Sequence, residues 1–234
     1  MALSVIHRAG HDPAANLSYE ESLFNALRDD PRPICLFYVN DPCVVAGSNN
    51  RLEEWVNMEA ARANAIPVLR RFTGGGTVYH DRHTLNFSFI APKNLIGGPE
   101  EHEGTVAGPS RYIAFFRGIV IRALKRGGDG YAQTRKNDIS LNGRKVSGGA
   151  QRIARSIVLH HGTLLRRCPI EAIERYLPLP PDRRDMAHRD FLTGLYEEGR
   201  EHAEETLREW IASEFAVALA ALGEHGVHAN DSAR

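Results

Sequence analysis

A glycine-rich run between two short apolar stretches is the first part of the sequence suited to binding a charged ligand. It reads Arg-Arg-Phe-Thr-Gly-Gly-Gly-Thr-Val-Tyr-His-Asp over residues 70–81. Consecutive glycines let backbone N–H groups turn toward one point and let a ligand approach the main chain closely, which favours an anion-binding nest. Arg70 and Arg71 supply cations suited to phosphate or carboxylate. A flexible turn is the alternative for the glycines, and a structural role is the alternative for His80.

A second segment, residues 136–151, brings a cation and a carboxylate together. It reads Lys-Asn-Asp-Ile-Ser-Leu-Asn-Gly-Arg-Lys-Val-Ser-Gly-Gly-Ala-Gln. Asn142-Gly143 is a strong signal for a hairpin with a type I′ turn. The glycines at 148 and 149 would let a ligand approach the backbone of the second strand. Lysine is scarce in this chain, occurring at positions 93, 125, 136 and 145, so its presence beside such glycines is informative.

The hairpin register predicts which of these side chains share a face. A two-residue loop pairs Leu141 with Arg144, Ser140 with Lys145, Ile139 with Val146 and Asp138 with Ser147. Asp138 and Lys145 then lie diagonally opposite on the polar face, within about 7–8 Å of each other. A surface salt bridge on an ordinary hairpin is the alternative interpretation.

Histidines and cysteines offer weaker signals. His160 and His161 are neighbours on a predicted strand and point to opposite faces, so they cannot chelate one metal together. Cys35, Cys43 and Cys168 are scattered and lack a CxxC pair, which predicts neither disulfides nor a thiolate metal site and favours a reducing cytoplasm. For Cys43 and Cys168 a structural role is favoured over that of a nucleophile. The usual nucleotide-binding, zinc-protease and hydrolase signatures are missing from the sequence.

The composition is that of one globular α/β domain. The chain has 234 residues, of which 42% are hydrophobic and 25% charged, with 29 basic and 29 acidic side chains. Zero net charge gives no expectation of a nucleic-acid or membrane partner. We also find no apolar stretch near the roughly 20 residues needed to span a bilayer.

Elements that would position these segments follow from apolar periodicity and turn residues. Strands are predicted at 35–39, 43–46, 67–71 and 84–90, and helices at 55–63, 111–125, 170–176 and 201–222. A first helix is predicted to begin at Ser18, where Ser18 and Glu21 form a capping box. Residues 93–109 are predicted to form a long loop. The pattern indicates a mixed, largely antiparallel sheet with packed helices, in one catalytic domain over 1–222 followed by a disordered tail over 223–234.

Taken together, the motifs resemble those of the lipoate–protein ligase family, within the biotin/lipoate ligase and lipoyltransferase superfamily. The resemblance lies in the 70–81 run, Asn86-Phe87, Asn137-Asp138, residues 143–148 and the His-Gly-Thr-Leu-Leu segment at 161–165. It implies a fold like that of class II synthetases and biotin ligases. Biotin ligation is less expected, because the Gly-Arg-Gly-Arg type of loop is missing.

The resemblance implies a two-step reaction. ATP, with Mg²⁺, would activate lipoate or octanoate to an acyl-adenylate, and the acyl group would pass to a lysine of a lipoyl-carrier domain. That carrier would be the E2 component of a 2-oxoacid dehydrogenase or a glycine-cleavage H-type protein.

The resemblance also implies roles for individual residues. Lys145 would be catalytic, acting on the carboxylate oxygen and the α-phosphate. Substrate would be bound by Arg70, Arg71, Gly74, Gly75, Gly76, His80, Asn86, Ser147, Gly148 and His161. The nucleotide would be bound by Asn137, Asp138, Lys145 and Ala150, with Asp138 also a Mg²⁺ ligand.

Two departures from the family pattern leave other functions open. The stretch after Leu195 has room for one long helix and a tail, whereas many such ligases carry a further domain, so a small accessory subunit is a candidate partner. No cysteine lies where the acyltransferases of the superfamily place their nucleophile, which favours ligase over octanoyl or lipoyl transferase. A non-enzymatic lipoate-binding or carrier-docking module is the third hypothesis.

Overall fold

The computed structural model describes residues 2–96, 108–134, 138–180 and 185–231, with side chains described up to residue 222. Within these residues the strands form two sheets. The seven-stranded sheet contains β1 (Ser4–His7), β2 (Ile34–Val39), β6 (Thr84–Pro92), β7 (Tyr131–Gln133), β8 (Asp138–Leu141), β9 (Arg144–Ile153) and β10 (Ile157–Leu165). The three-stranded sheet contains β3 (Cys43–Ala46), β4 (Val68–Arg70) and β5 (Val78–His80).

Strand pairing in both sheets is mostly antiparallel. The large sheet has the order β1-β2-β6-β10-β9-β8-β7, and the small sheet has the order β4-β3-β5. The β1–β2 and β3–β4 pairs are parallel, and the remaining pairs are antiparallel. The predicted mixed, largely antiparallel α/β architecture is therefore confirmed.

Helices cover both faces of the large sheet. The α-helices of the described residues are α1 (Pro13–Ala26), α2 (Leu52–Trp55), α3 (Met58–Ala63), α4 (Lys93–Ile96), α5 (Pro109–Lys125), α6 (Ile170–Tyr176), α7 (His188–Phe191) and α8 (Glu204–Asp231), of which α2, α3 and α6 pack against the small sheet. Helices α5 and α8 pack on one face through an aromatic cluster, in which the ring centroid of Phe89 lies 5.4 Å from that of Phe116 and 4.8 Å from that of Phe215. Helix α1 packs on the opposite face, where Phe24 and Leu27 are buried against β2, β6 and β10.

The first helix begins five residues earlier than predicted. Asp12 is the N-cap, and its Oδ1 accepts hydrogen bonds from the backbone N–H groups of Ala14 at 2.8 Å and Ala15 at 3.1 Å. Pro13 follows at the first helical position, where its missing N–H costs nothing. The predicted start at Ser18 is wrong, because this stronger cap lies upstream.

Other boundaries also differ from the sequence prediction. The single helix predicted over 55–63 is split into α2 and α3, because Val56 is extended and Asn57 caps α3 by accepting from the N–H of Ala60 at 3.1 Å. Residues 93–96 of the predicted loop form α4, and residues 97–107 lie outside the described residues. Helix α8 continues past residue 222, and the predicted division of the chain there stays a prediction.

Within the described residues, none of the helices combines the length and the apolar character that crossing a membrane requires.

Candidate active site

A cavity of about 350 Å³ lies where the two sheets meet. Ten of the predicted site residues line it. From the glycine run and β5 come Arg71, Gly75, Gly76 and His80, and from the large sheet come Asn86, Asp138, Lys145, Gly148, Ala150 and His161. Arg70, Gly74 and Ser147 are not among the described lining residues, and Asn137 lies outside the described part of the chain. The sequence thus identified segments that converge on one crevice.

The hairpin turn has the backbone conformation that the sequence predicted. Asn142 and Gly143 have φ values of 51° and 85°, as a type I′ turn requires. Lys145 Nζ lies 2.8 Å from Asp138 Oδ1 in an ion pair whose side chains are 28% and 10% exposed. The pair is therefore shielded at its carboxylate end and open at its ammonium end, where a ligand can reach it.

The strand register beyond the turn differs from the prediction. The observed pairs are Leu141–Arg144, Ser140–Lys145, Ile139–Ser147 and Asp138–Gly148, with a bulge between the second and third pairs. The predicted Ile139–Val146 and Asp138–Ser147 pairs are wrong, because Val146 is the extra residue of the bulge. A bulge changes which face the following residues occupy, so Val146 and Ser147 are both buried. Gly148 therefore lies directly opposite Asp138.

Gly148 leaves room for the ion pair. A Cβ atom at this position would lie 2.8 Å from Lys145 Nζ and 3.0 Å from Lys145 Cε, with Asp138 Oδ1 at 3.4 Å. Any side chain here would displace the lysine. The missing side chain in the Ser-Gly-Gly sequence of β9 therefore lets the Lys145 side chain lie over its own strand.

Residues 193–198, which lie outside the hairpin, hold Lys145 and the turn in place through hydrogen bonds. The backbone N–H of Thr193 donates to the Lys145 carbonyl at 3.0 Å. Glu198 accepts hydrogen bonds from Asn142 Nδ2 at 2.8 Å and from the Arg144 guanidinium. The turn and the first residues of β9 are therefore fixed from both sides. No local sequence pattern indicates these contacts, because the partners lie about fifty residues apart along the chain.

The guanidinium of Arg71 holds the glycine loop, which we define as residues 73–77. Its Nη2 donates to the carbonyls of Gly74 and Gly76, both at 2.7 Å, and its Nε donates to Thr73 Oγ1 at 3.1 Å. Its Nη1 donates to the carbonyl of Val45 at 3.2 Å. Burial lowers the pKa of Arg71 to about 10, which still leaves it charged at neutral pH. The guanidinium thus shapes the cavity wall, and its predicted role on the acid or phosphate stays a prediction.

Arg70 points away from the cavity and fixes a neighbouring turn. Its Nη1 donates to the carbonyls of Gly47 at 2.8 Å, Ser48 at 3.0 Å and Asn50 at 2.9 Å. A Cβ atom on Gly47 would collide with the carbonyl oxygen of Gly75, so this turn supports the glycine loop from behind. The contacts of Arg70 are those of a positioning residue.

A buried carboxylate that the site prediction did not include connects the two sheets. Glu20 Oε2 lies 2.8 Å from His161 Nδ1, and the other ring nitrogen of His161 lies 2.7 Å from Thr73 Oγ1. Glu20 Oε1 accepts hydrogen bonds from Ser88 and, at 3.5 Å, from Tyr38. Helix α1, strand β10 and the glycine loop are therefore joined by one polar network.

The ionised form of Glu20 is the stable one in this network. Burial raises the pKa of the carboxyl group, but the charge and hydrogen bond of His161, the Ser88 hydroxyl and the Arg71 guanidinium outweigh it, so the pKa lies below its ordinary value. A buried charge this well partnered fixes the geometry of the groups around it.

The three cysteines are poorly suited to nucleophilic catalysis. Cys35 and Cys43 are fully buried, and none of the three is among the described residues that line the cavity. Burial raises the pKa of Cys43 and of Cys168 to about 12, so neither forms a thiolate near neutral pH. This supports the structural role predicted for them.

A family model described as the lipoyl protein ligase A/B catalytic domain matches residues 12–215, which include every cavity segment described above. The chain belongs to this family. Lipoate-protein ligase LplJ of Bacillus subtilis, a curated relative, is 35% identical over 173 residues, covering 74% of this chain and 48% of the relative. The chain thus spans about half the length of the curated relatives that it matches.

Solved structures of lipoyl ligases have the same fold. A bi-partite lipoate protein ligase from Thermoplasma acidophilum, described with its E2 lipoyl domain, matches with a TM-score of 0.79 at 22% identity, over 94% of this chain and 84% of that one. A lipoate-protein ligase A bound with ATP matches with a TM-score of 0.75 at 22% identity, over 93% and 85% of the two chains.

Proposed function

We propose that this chain activates lipoate or octanoate with ATP to an acyl-adenylate and transfers the acyl group to a lysine of a lipoyl-carrier domain. The observation that carries the proposal is the shared cavity, in which Lys145 and the glycine loop line one space between the sheets. A volume of about 350 Å³ lies within the usual range of small-ligand sites. The names of the relatives support lipoate as substrate, and the ATP-bound ligase supports ATP.

The cavity has a partly exposed end and a buried end, which suits a fatty acid with a charged head. Lys145 and Trp55 are partly exposed, whereas Leu17 and Val45 are buried beside polar side chains such as His80. We assign the head of the acid to the lysine end and the tail to the buried end. Burying each CH₂ of the tail contributes about 0.8 kcal/mol, so the apolar wall supplies much of the affinity.

In the first step a carboxylate oxygen of the acid attacks the α-phosphorus of ATP. The new O–P bond gives the acyl-adenylate, and the bond from that phosphorus to the leaving pyrophosphate breaks. Both reactants are anions, so a fixed cation is needed where their charges meet. Lys145 supplies that cation, and Asp138 and Gly148 hold its ammonium in place.

Asp138 fits an auxiliary role toward Mg²⁺. It is the carboxylate among the described lining residues, and the described residues hold no group of three or more ligating side chains. Magnesium is commonly held by one or two carboxylates together with substrate phosphates, so this donor set suits it. When bound, the ion would neutralise phosphate charge, and Asp138 would hold it beside the nucleotide.

In the second step the neutral amine of a carrier lysine attacks the acyl carbonyl. An amide bond forms, AMP leaves with the electron pair of the broken C–O bond, and the amine loses a proton. The Thermoplasma ligase described with its E2 lipoyl domain supports a carrier of that kind, and a glycine-cleavage H-type protein is the other carrier we propose. The buried interior of the cavity keeps water from the mixed anhydride before transfer.

We propose further that a small accessory subunit completes the enzyme and that it works in the cytoplasm. The bi-partite organisation of the Thermoplasma ligase supports the first proposal. Three free thiols support a reducing compartment.

Pyrophosphate release tests the proposed function. The native protein, incubated with lipoate, ATP and Mg²⁺, should release pyrophosphate, and the Lys145→Ala variant should not. Lys125→Ala is the matched control. Lys125 is exposed at the end of α5, does not line the cavity, and belongs to the helix that packs on the other face of the large sheet from α1. Adding synthetic lipoyl-adenylate and a lipoyl domain tests the second step separately. Binding of lipoate without turnover in either half-reaction would instead support a lipoate-binding module.

A further inference from the structure

A directional chain of hydrogen bonds ends at His80 on the cavity wall. It begins at Arg8, whose Nε donates to Asn16 Oδ1 at 3.2 Å. Asn16 Nδ2 then donates to Asn40 Oδ1 at 3.0 Å, and Asn40 Nδ2 lies 3.0 Å from His80 Nδ1. An arginine can only donate, so the direction of each bond is fixed along the chain.

This direction determines which nitrogen of His80 carries the proton. Asn40 Nδ2 donates, so Nδ1 of the imidazole must accept, and the proton lies on Nε2. His80 is 3% exposed, and burial, followed by the charges of Arg71 and His161, lowers its pKa to about 3. The ring is therefore neutral near pH 7 and presents one N–H donor.

That donor has no partner among the described residues. His80 Nε2 is buried and makes no hydrogen bond, although its ring lines the cavity. The other polar side chains beside it are engaged, since both ring nitrogens of His161 and the hydroxyl of Tyr38 make the bonds of the Glu20 network. A buried donor without a partner is costly, so a ligand that supplies an acceptor gains affinity.

His80 lies at the buried end of the cavity, where we place the tail of the acid. Val78 and His80, alternate residues of β5, line the cavity, while Tyr79 between them packs against Tyr176 on the other side. The wall extends from Gly76 at the partly exposed end to buried His80, about 13 Å for four extended residues. With the head of the acid at Lys145, the His80 N–H faces the tail.

We propose that His80 is a specificity-determining residue that donates a hydrogen bond to a sulfur atom of the dithiolane ring, and so favours lipoate over octanoate. This inference rests on the proposed function. Divalent sulfur is a weak acceptor, but an aliphatic tail has no acceptor and would leave the N–H buried without a partner.

Calorimetric binding without ATP tests the inference independently of turnover. The probes are lipoate, octanoate and 5-cyclopentylpentanoate, which keeps the ring shape and lacks sulfur. The native protein should bind lipoate about fivefold to tenfold more tightly than the cyclopentyl acid. His80→Leu should remove this ratio, and His80→Gln, whose amide can accept from Asn40 and donate to the ligand, should keep it. Val78→Ala is the control, which should weaken all three acids without changing the ratio.

The outcomes separate this inference from the proposed function. Equal affinities of the native protein for lipoate and the cyclopentyl acid would overturn the role of His80. A folded His80→Leu protein that still binds lipoate more tightly than the cyclopentyl acid, by the native ratio, would overturn it too. Pyrophosphate release with both acids would leave the proposed function standing in that case. Failure to bind any of the acids would contradict both. If His80→Leu does not fold, the native comparison still decides, together with the Nε2–H NMR signal of His80, which should shift with lipoate and not with the cyclopentyl acid.

Discussion

Lys145 Nζ and Asp138 Oδ1 are 2.8 Å apart across a hairpin whose register is offset by a bulge at Val146. The bulge places Gly148 opposite Asp138, and the missing side chain of that glycine lets the lysine lie over its own strand. The geometry of the ammonium therefore depends on three positions within eleven residues. Each can be tested separately.

Replacing Asp138 with Asn should lower the rate of pyrophosphate release by about tenfold or more, since a neutral amide holds the ammonium less strongly than a carboxylate. The fold should survive, because the two side chains have nearly the same shape. Ser140→Ala is the control on the same strand; the Ser140 hydroxyl bonds the carbonyl of Ala132 rather than the lysine. Equal rates for Asp138→Asn and the native protein would show that the ion pair does not matter to the reaction.

Gly148→Ala should reduce activity strongly while leaving most of the free energy of unfolding, because the added methyl group would lie 2.8 Å from Lys145 Nζ and would push the flexible end of the lysine aside. We expect a loss of about a hundredfold in kcat/KM. Gly10→Ala is the matched control, since a Cβ there meets nothing within 4 Å. Full activity in Gly148→Ala would mean that the lysine can work from another position.

The sequence predicts that Asp138 and Lys145 lie close together, but the strand register that it predicts beyond the turn is wrong. Asn142-Gly143 determined the turn, and a turn determines the first pairs of a hairpin. A bulge depends on which residues the rest of the protein buries, and the local pattern of Val146 and Ser147 carries no such signal. The local sequence also carries no sign that most N–H donors of Arg71 bond main-chain oxygens, and the role of this residue on an anion stays a prediction.

Glu20 shows a second limit of sequence reasoning. It lies in a helix, where a glutamate is ordinarily exposed, and its partner His161 is 141 residues away. Nothing local distinguishes it from Glu21, which is exposed. The adjacent histidines at 160 and 161 are a usable signal, because neighbours on a strand face opposite sides of the sheet. Of these two residues, His161 lines the cavity and His160 stacks on Phe116.

Two buried histidines should make the protein less stable in mild acid. Burial lowers the pKa values of His80 and His160 to about 3, far below the usual 6.5. Between pH 7 and pH 5 the unfolded chain takes up these protons and the folded chain does not, so the free energy of unfolding falls as the pH falls. We expect a loss on the order of 1 kcal/mol per pH unit for each histidine below pH 6.5.

Urea unfolding at several pH values measures this loss. His160→Gln should reduce the slope of the free energy of unfolding against pH by the share of about one proton. This holds whatever the substitution does to stability at pH 7. The pKa of the Glu20 carboxyl is lowered in the folded protein, so this group adds a smaller loss of the same sign, mainly below pH 5. A free energy of unfolding that stays constant between pH 7 and pH 5 would contradict the neutral, buried state of both rings.

The thiols should be dispensable for acyl transfer. Cys168→Ser and Cys43→Ala should each keep acyl transfer within about twofold of the native rate, because neither thiol lines the cavity and both have raised pKa values. Mass spectrometry with an octanoyl-carrier should show no thioester on either residue. An acyl adduct on one of them, together with loss of transfer in its variant, would instead indicate a thiol-dependent acyltransferase.

The most direct test of the account is a crystal structure with a non-hydrolysable lipoyl-adenylate analogue. The account predicts that the analogue's acyl or phosphate oxygen lies within about 3.2 Å of Lys145 Nζ and that its tail follows the wall from Gly75 to His80. An analogue bound outside this cavity, or one whose adenylate does not contact Lys145, would contradict it.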